Sequence, residues 1–216
     1  MIIKILSIPR SLYYNIKLFG IKKGCKIPIL LSNHTKVYGI NRRNIEVNNP
    51  KRFGVQIGFG GTVGIEENRH SYLVVGDTGK IVFDETAIFG AGSSIRVDSG
   101  ICIIGKDFSC NKNCCIACDE QVVFGAGCLL GWNVSVRDAD GHSIIYEGEI
   151  KKTSSRVEIG KNVWIAANVN ILKGVLIPDN CVIGCRSCLT KKFTETNCLI
   201  AGYPAKILQR NITWKK

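Results

Sequence analysis

No stretch of this 216-residue chain is apolar for long enough to cross a bilayer. The best candidate, residues 1–20, is interrupted by Lys4, Pro9, Arg10 and Lys17. No cleavable signal peptide opens the sequence. Its eleven cysteines are odd in number and lack the spacing of a disulfide framework, so reduced thiols and a cytoplasmic protein are expected. No basic run is interleaved with aromatics and no helix-turn-helix pattern occurs, which argues against nucleic acid as the partner of the +12 charge. Such a surface attracts other anions, either the phosphates of a cofactor or the acidic inner face of a membrane. The three histidines, His34, His70 and His142, are scattered, so a three-histidine metal site is not expected. The cluster Cys110, Cys114, Cys115 and Cys118 has no histidine beside it and reads as small buried hydrophobes, with no metal. At 45% apolar composition, the chain is long enough for one well-buried domain.

What is present is a period of six. Ile159, Ile165, Ile171, Ile177, Ile183 and Leu189 fall at a strict interval, and Val157, Val163, Val169, Val175, Cys181 and Ser187 keep the same step two residues earlier. An α-helix would scatter residues six apart round its surface, so the pattern is not a helical stripe. A strand that turns a corner every six residues satisfies it. Three such sides make one coil of a triangular solenoid, whose coils stack at about 4.8 Å and share a continuous core. Gly160, Asn162, Gly174, Asn180 and Gly184 supply residue types suited to corners. The step recurs with slips at Phe83, Phe89, Ile95 and Ile101, then Ile104, Cys110 and Ile116, then Phe124, Leu130 and Val136. GFGGTVG at 58–64 and the FGAG segments at 89–92 and 124–127 precede no helical pattern. They read as solenoid corners and not as phosphate loops.

The reading is therefore an N-terminal helix and cap segment over 1–50, a β-solenoid over 51–200, and a C-terminal tail over 201–216. An expelled loop at 137–156 breaks the period, and a long loop on a regular scaffold points to function. A short amphipathic helix is expected from Ser11 to Phe19, with Leu12, Ile16 and Phe19 on one face. It either caps the domain or lies in a membrane interface, so residues 1–20 are a candidate for peripheral membrane contact.

Three segments, GKDFSCNKN at 105–113, NVSVRDADGHS at 133–143, and VWIAANVNILKGVLIPDNCVIGCRSCLTKK continuing to AGYPAK at 163–206, resemble the hexapeptide-repeat acyltransferases. Within that family they resemble the galactoside/maltose and polysaccharide O-acetyltransferase branch. The resemblance implies a left-handed parallel β-helix, acetyl-coenzyme A as co-substrate, a saccharide hydroxyl as acceptor, and a homotrimer with sites between subunits. It implies His142 as general base and Asn111 binding the acceptor; Asp138 and Asp140, four and two residues before His142, are candidates to hold its other ring nitrogen, the alternative being solvated loop acids. Trp164, Ala167 and Cys185 match positions along the pantetheine arm, and Thr190, Lys191 and Lys206 match positions near the adenosine phosphates. The sequence departs from the family where Cys185–Arg186 replaces Ala-Gly, Ala166 replaces Gly, and KFTETN replaces a proline-bearing turn. Two other readings are N-acetylation of a nucleotide-linked amino sugar and a solenoid that binds without catalysis.

Overall fold

The computed structural model describes residues 2–66, 68 and 70–215. Nearly all strands lie in three parallel sheets, which form the faces of a triangular prism, a left-handed parallel β-helix. The first face has nine strands, the second seven and the third six. The chain visits them in that order, so there are three edges: first to second, second to third, and third back to first.

The C-terminal coils follow the six-residue rule without a slip. Ile159 stacks on Ile177, Ile165 on Ile183 and Ile171 on Leu189, each eighteen residues on. All six side chains are buried. Further back the coils lengthen. Leu130 pairs with Ile165 across the loop after Arg137, and Ile57 pairs with Phe89 across residues 58–70. Ile101 leaves the expected row: it is half-exposed, and Cys102 and Ile104 face inward instead. This half of the core is filled by aromatic rings, with Phe83, Phe89, Phe108 and Phe124 in successive contact at centroid separations of 6.2, 5.1 and 5.0 Å.

The first coil begins earlier than the sequence suggests. Ile29–Leu31, Thr35–Tyr38 and Ile45–Val47 already lie one on each face, so the solenoid starts within the expected cap segment. The cap itself is two helices, α1 (Ile2–Leu6) and α2 (Ile8–Gly24), the latter kinked at Gly20. Helix α2 closes the open edge of the first strand with side chains. Asn15 Nδ2 donates to the Ile29 carbonyl at 2.6 Å and Asn15 Oδ1 accepts the Ile29 N–H at 3.0 Å, while Ser11 Oγ accepts the Leu31 N–H at 2.9 Å. Covering that edge removes a template for strand addition. At the other end, Ala205–Gln209 returns antiparallel to Leu199–Gly202 and closes the same face. The tail is thus partly a strand.

All eleven cysteines are free. Cys115 and Cys118 fall at C-x-x-C spacing, but on a strand that spacing directs the thiols to opposite sides, and Cys118 is buried while Cys115 is half out. Burial, with the charge of Asp138 behind it, pushes the Cys102 thiol up to about 12. Eight of the eleven are buried core thiols, Cys115 is half-buried, and Cys25 and Cys185 are exposed. Among the described residues no three His, Cys, Asp or Glu stand together as a metal site.

Candidate active site

The first edge is a stack of similar three-residue corners: Asn111–Lys112–Asn113, Gly131–Trp132–Asn133, Ala166–Ala167–Asn168 and Gly184–Cys185–Arg186. The third residue of each takes a left-handed backbone, with φ of 59°, 56°, 60° and 58°. Asparagine accepts that conformation readily, and Arg186 is the exception. The corners are laced together. Asn133 N–H donates to Lys112 O at 3.0 Å, Asn168 N–H to Trp132 O at 2.9 Å, and Arg186 N–H to Ala167 O at 3.0 Å. Gly131 permits this approach, because a Cβ there would lie 2.7 Å from Ala167 N. The N–H groups of Ala167 and Cys185 donate to no group among the described residues. Two adjacent coils therefore present spare donors on one edge, an arrangement suited to an oxyanion or an amide-bearing chain.

Asn111 is already engaged on that edge. Its Oδ1 accepts the N–H of Thr62 at 2.9 Å and of Lys112 at 2.8 Å, and its Nδ2 donates to Thr62 Oγ1 at 2.7 Å. Asn113 does the same one step on, accepting the Asn68 N–H at 2.9 Å and donating to Glu66 O at 2.8 Å. Lys112 Nζ reaches Ile65 O at 3.1 Å. GFGGTVG at 58–64 is thus not a plain corner. It opens a second excursion, which these three residues fasten against the edge. Beneath it lies a cavity of about 630 Å³ lined in part by His34, Gly61 and Lys112. The rings of His34 and His70 lie 6.4 Å apart between centroids, although nothing in their sequence neighbourhoods pairs them.

The expelled loop leaves the second edge, and it is an arm with its own structure. Ile145–Tyr146 pairs antiparallel with Glu149–Ile150, and a bridge between Ala139 and Ser154 ties the root. Asp138 is fully buried, and its carboxylate accepts the N–H groups of Asp119, Glu120 and Gln121 at 2.8, 2.9 and 2.7 Å. Asp140 pairs with Lys173, whose Nζ also donates to Lys152 O at 2.7 Å. No hydrogen bond joins either aspartate to the His142 ring among the described residues. Both hold the root of the arm, because the strand ends there expose backbone donors and a lysine that need anionic partners. Glu120 completes the root by accepting from Ser154 Oγ at 2.8 Å and pairing with Lys152 at 3.0 Å, contacts that hold its carboxyl below the usual range. Burial, then the charges of Asp138 and Asp98, raise Asp119.

His142 lies beyond this root, exposed, with no hydrogen bond to any described residue. The arm also exposes Ile144, Ile145, Tyr146 and Ile150, which are 56–71% accessible. An apolar, projecting arm is suited to a surface outside its own coil.

The remaining expected residues fall into two groups. Trp164 is on the first face, where its ring meets Trp214 at 6.1 Å, and Trp214 Nε1 donates to Asn162 O at 2.7 Å. Lys206 stands exposed on the returning strand of that face. Thr190 and Lys191 are exposed at the second edge, after the last strand of the second face. Within one chain, His142, Thr190 and Lys191 thus share the second edge, while Asn111, Ala167 and Cys185 share the first. The whole second face separates them. Sequence reasoning missed Lys112, Asn113, Lys173 and Trp214, whose roles come from contacts across 21 to 52 positions of chain that no local pattern encodes.

Comparison with known proteins adds to this geometry. Residues 156–191 match the family model described as bacterial transferase hexapeptide (six repeats). The chain is 36% identical over 125 residues to the galactoside O-acetyltransferase of Escherichia coli strain K12, a match taking in 56% of each protein. It is 30% identical over 145 residues to the protein of the same strain named "Putative lipopolysaccharide biosynthesis O-acetyl transferase WbbJ", covering 61% of this chain and 72% of that one. It thus spans between about half and three quarters of these relatives. Among solved structures, the polySia-specific acetyltransferase NeuO superposes with a TM-score of 0.53 at 23% identity, over 87% of this chain and 82% of the other, a likeness of fold.

Proposed function

Because the chain belongs to the hexapeptide-repeat transferase family, we propose that it is an O-acetyltransferase that moves the acetyl group of acetyl-coenzyme A to a sugar hydroxyl of a surface polysaccharide or its precursor. The observation that carries this reading is the exposed His142 on a projecting arm, set against two spare backbone N–H donors at Ala167 and Cys185 on another edge. Acetyl-coenzyme A supplies the activated thioester. His142 takes the proton of the acceptor hydroxyl as its oxygen attacks the thioester carbonyl. The Ala167 and Cys185 N–H groups then stabilise charge on the carbonyl oxygen, and His142 returns the proton to the leaving thiolate. Lys206, Lys191 and Thr190 are exposed and favour the cofactor phosphates, and Trp164 flanks the pantetheine arm.

Two edges of one prism cannot meet each other, so the reading includes a homotrimer in which the arm of one subunit reaches the first edge of its neighbour. The apolar residues of the arm support this, since a neighbouring face would cover them. Asn111, bound to Thr62, would act on the acceptor through the excursion it fastens, or after exchanging that partner. The eleven free thiols fit a reducing cytoplasm.

The test is thiol release from acetyl-coenzyme A against paired hydroxyl and amino sugar acceptors. Replacing His142 by Ala is expected to lower turnover about 10²–10⁴-fold. Its melting temperature should stay unchanged, because the ring is exposed and unbonded. Undiminished turnover would remove His142 from the chemistry. A preference for amino acceptors would point to N-acetylation, and no release with any acceptor would favour a binding solenoid. Mixed trimers of His142→Ala with a Trp164→Ala/Lys206→Ala chain, altered only on the first face, should recover activity that neither chain has alone.

A further inference from the structure

Helix α2 is built inside out. Its buried stripe is polar: Ser7, Ser11 and Asn15 are all fully buried, with Leu18 beside them. These side chains are satisfied by the edge of the first strand and by the helix carbonyls, with Ser11 Oγ on Ser7 O at 2.7 Å and Asn15 Nδ2 on Ser11 O at 2.7 Å. At 100° per residue the opposite side of the helix carries Pro9, Tyr13 and Ile16. Of the three residues expected on one face, Phe19 packs against the core. Leu12 and Ile16 stay half-exposed. Ile5, Leu6, Tyr13 and Ile21 are between 55% and 73% exposed, so both helices present apolar side chains to the outside, while the exposed Ile3 lines the cavity beside His34.

The segment that carries this surface is charged with one sign, although the exposed Glu46 lies near Lys23 at its border. The first 45 residues contain nine Lys and Arg and no Asp or Glu, Glu46 being the first acid of the chain. Lys17, Lys22, Lys23 and Lys26 are exposed on or just after α2, and Arg42, bonded through Nε to Lys17 O at 3.0 Å, brings Arg43 alongside. None of these six is in an ion pair among the described residues. A helix that turns polar groups to its own protein and apolar groups outward, inside a field of unpaired cations, complements a bilayer surface carrying anionic lipid.

We propose that α1 and α2 dock this protein on an anionic membrane surface, with Tyr13, Ile16 and Ile21 entering the headgroup boundary and the flanking lysines and arginines pairing with lipid phosphates. The helices lie along the surface and do not span it, as neither is long and apolar enough to cross. The same helix thereby serves two partners on two sides, the strand edge through Ser11 and Asn15 and the lipid through Tyr13 and Ile16. This docking stands independently of the reaction at His142.

Flotation of the full chain with vesicles tests it. Binding is expected to vesicles of phosphatidylcholine with phosphatidylglycerol and not to phosphatidylcholine alone, and it should weaken as salt rises. Tyr13→Asp/Ile16→Asp should weaken binding at least about tenfold, through lost apolar burial. Lys17→Glu/Lys22→Glu/Lys23→Glu should weaken it at least about tenfold, through lost attraction to the lipid. Both variants should keep the wild-type circular dichroism and melting temperature, since the altered side chains face away from the coil. Absence of flotation at every composition, or binding unchanged in both variants, would overturn the proposal. So would a Tyr13→Asp/Ile16→Asp chain whose mass in light scattering falls to that of a monomer from a larger wild-type assembly, because the patch would then be a contact between copies.

Discussion

The two excursions from the solenoid are of similar length and are held in opposite ways. Residues 58–66 and Asn68 are fastened at several points, at Thr62, Ile65, Glu66 and Asn68, by the amides of Asn111 and Asn113 and by Lys112. Residues 139–154 stand off the body, fastened only at the root by Asp138, Asp140 and Glu120, and everything from Gly141 to Lys152 is exposed. Distributed amide bonds make a wall that keeps its shape. A charged clamp at the base makes an arm that keeps its direction while its tip is left to meet something else. The pairing suits a site assembled from two subunits, where one side must be fixed and the other must reach.

Breaking the clamp should cost more than breaking the stitching. Asp138→Ala strips three buried N–H groups of their acceptor and is expected to lower unfolding stability by about 3 kcal/mol or more, read from urea denaturation. Asp138→Asn, which retains one acceptor oxygen, should lose roughly half as much. Asn111→Ala removes three half-exposed hydrogen bonds and should cost about 1–2 kcal/mol, while leaving trypsin cleavage of the arm unchanged. Lys173→Met frees Asp140 and the Lys152 carbonyl and should cost about 1 kcal/mol. Its clearer sign is faster trypsin cleavage at Lys151 and Lys152, by about fivefold, because the root opens more often.

The smallest effect expected is one of pH. The carboxyl of Glu120 is held below 4.5 by Ser154 and Lys152, so its contribution to the root is complete above the unfolded value and is lost as pH falls through the lower folded value. Arm cleavage by an acid protease should therefore rise as pH falls below about 4.5, and a Glu120→Gln chain should have lost that dependence.

The C-terminal coils were legible because one apolar residue every six positions is the whole of their rule, and Ile159 to Leu189 obey it. The first coil was hidden because Ile29–Leu31 and Thr35–Tyr38 are followed by a six-residue connection to Ile45, which erases the step. The packing face of α2 is not legible from its apolar positions, for a physical reason: a sheet edge needs donors and acceptors, and Ser11 and Asn15 supply them where leucine could not. At the site, His142 was found from the residues around it, whereas the duty of Asp138 depends on backbone donors one coil earlier, at 119–121. Sequence spacing of two to four made both aspartates look like partners of the histidine. Their actual partners are 17 to 33 positions away.

The amide of Asn15 has an architectural consequence for how such a chain can change in length. It occupies the hydrogen-bonding positions that another strand would need on the outer side of Ile29, and Ala205–Gln209 occupies the last parallel position at the far end. Neither terminus can accept a new rung. Duplication or deletion of rungs is therefore confined to the interval between the two closures. It proceeds there in whole turns, because an insertion that is not a multiple of the eighteen-residue repeat would carry every later inward side chain off its face unless a loop took up the remainder. Growth of this fold is thus insertional, with both ends inherited intact.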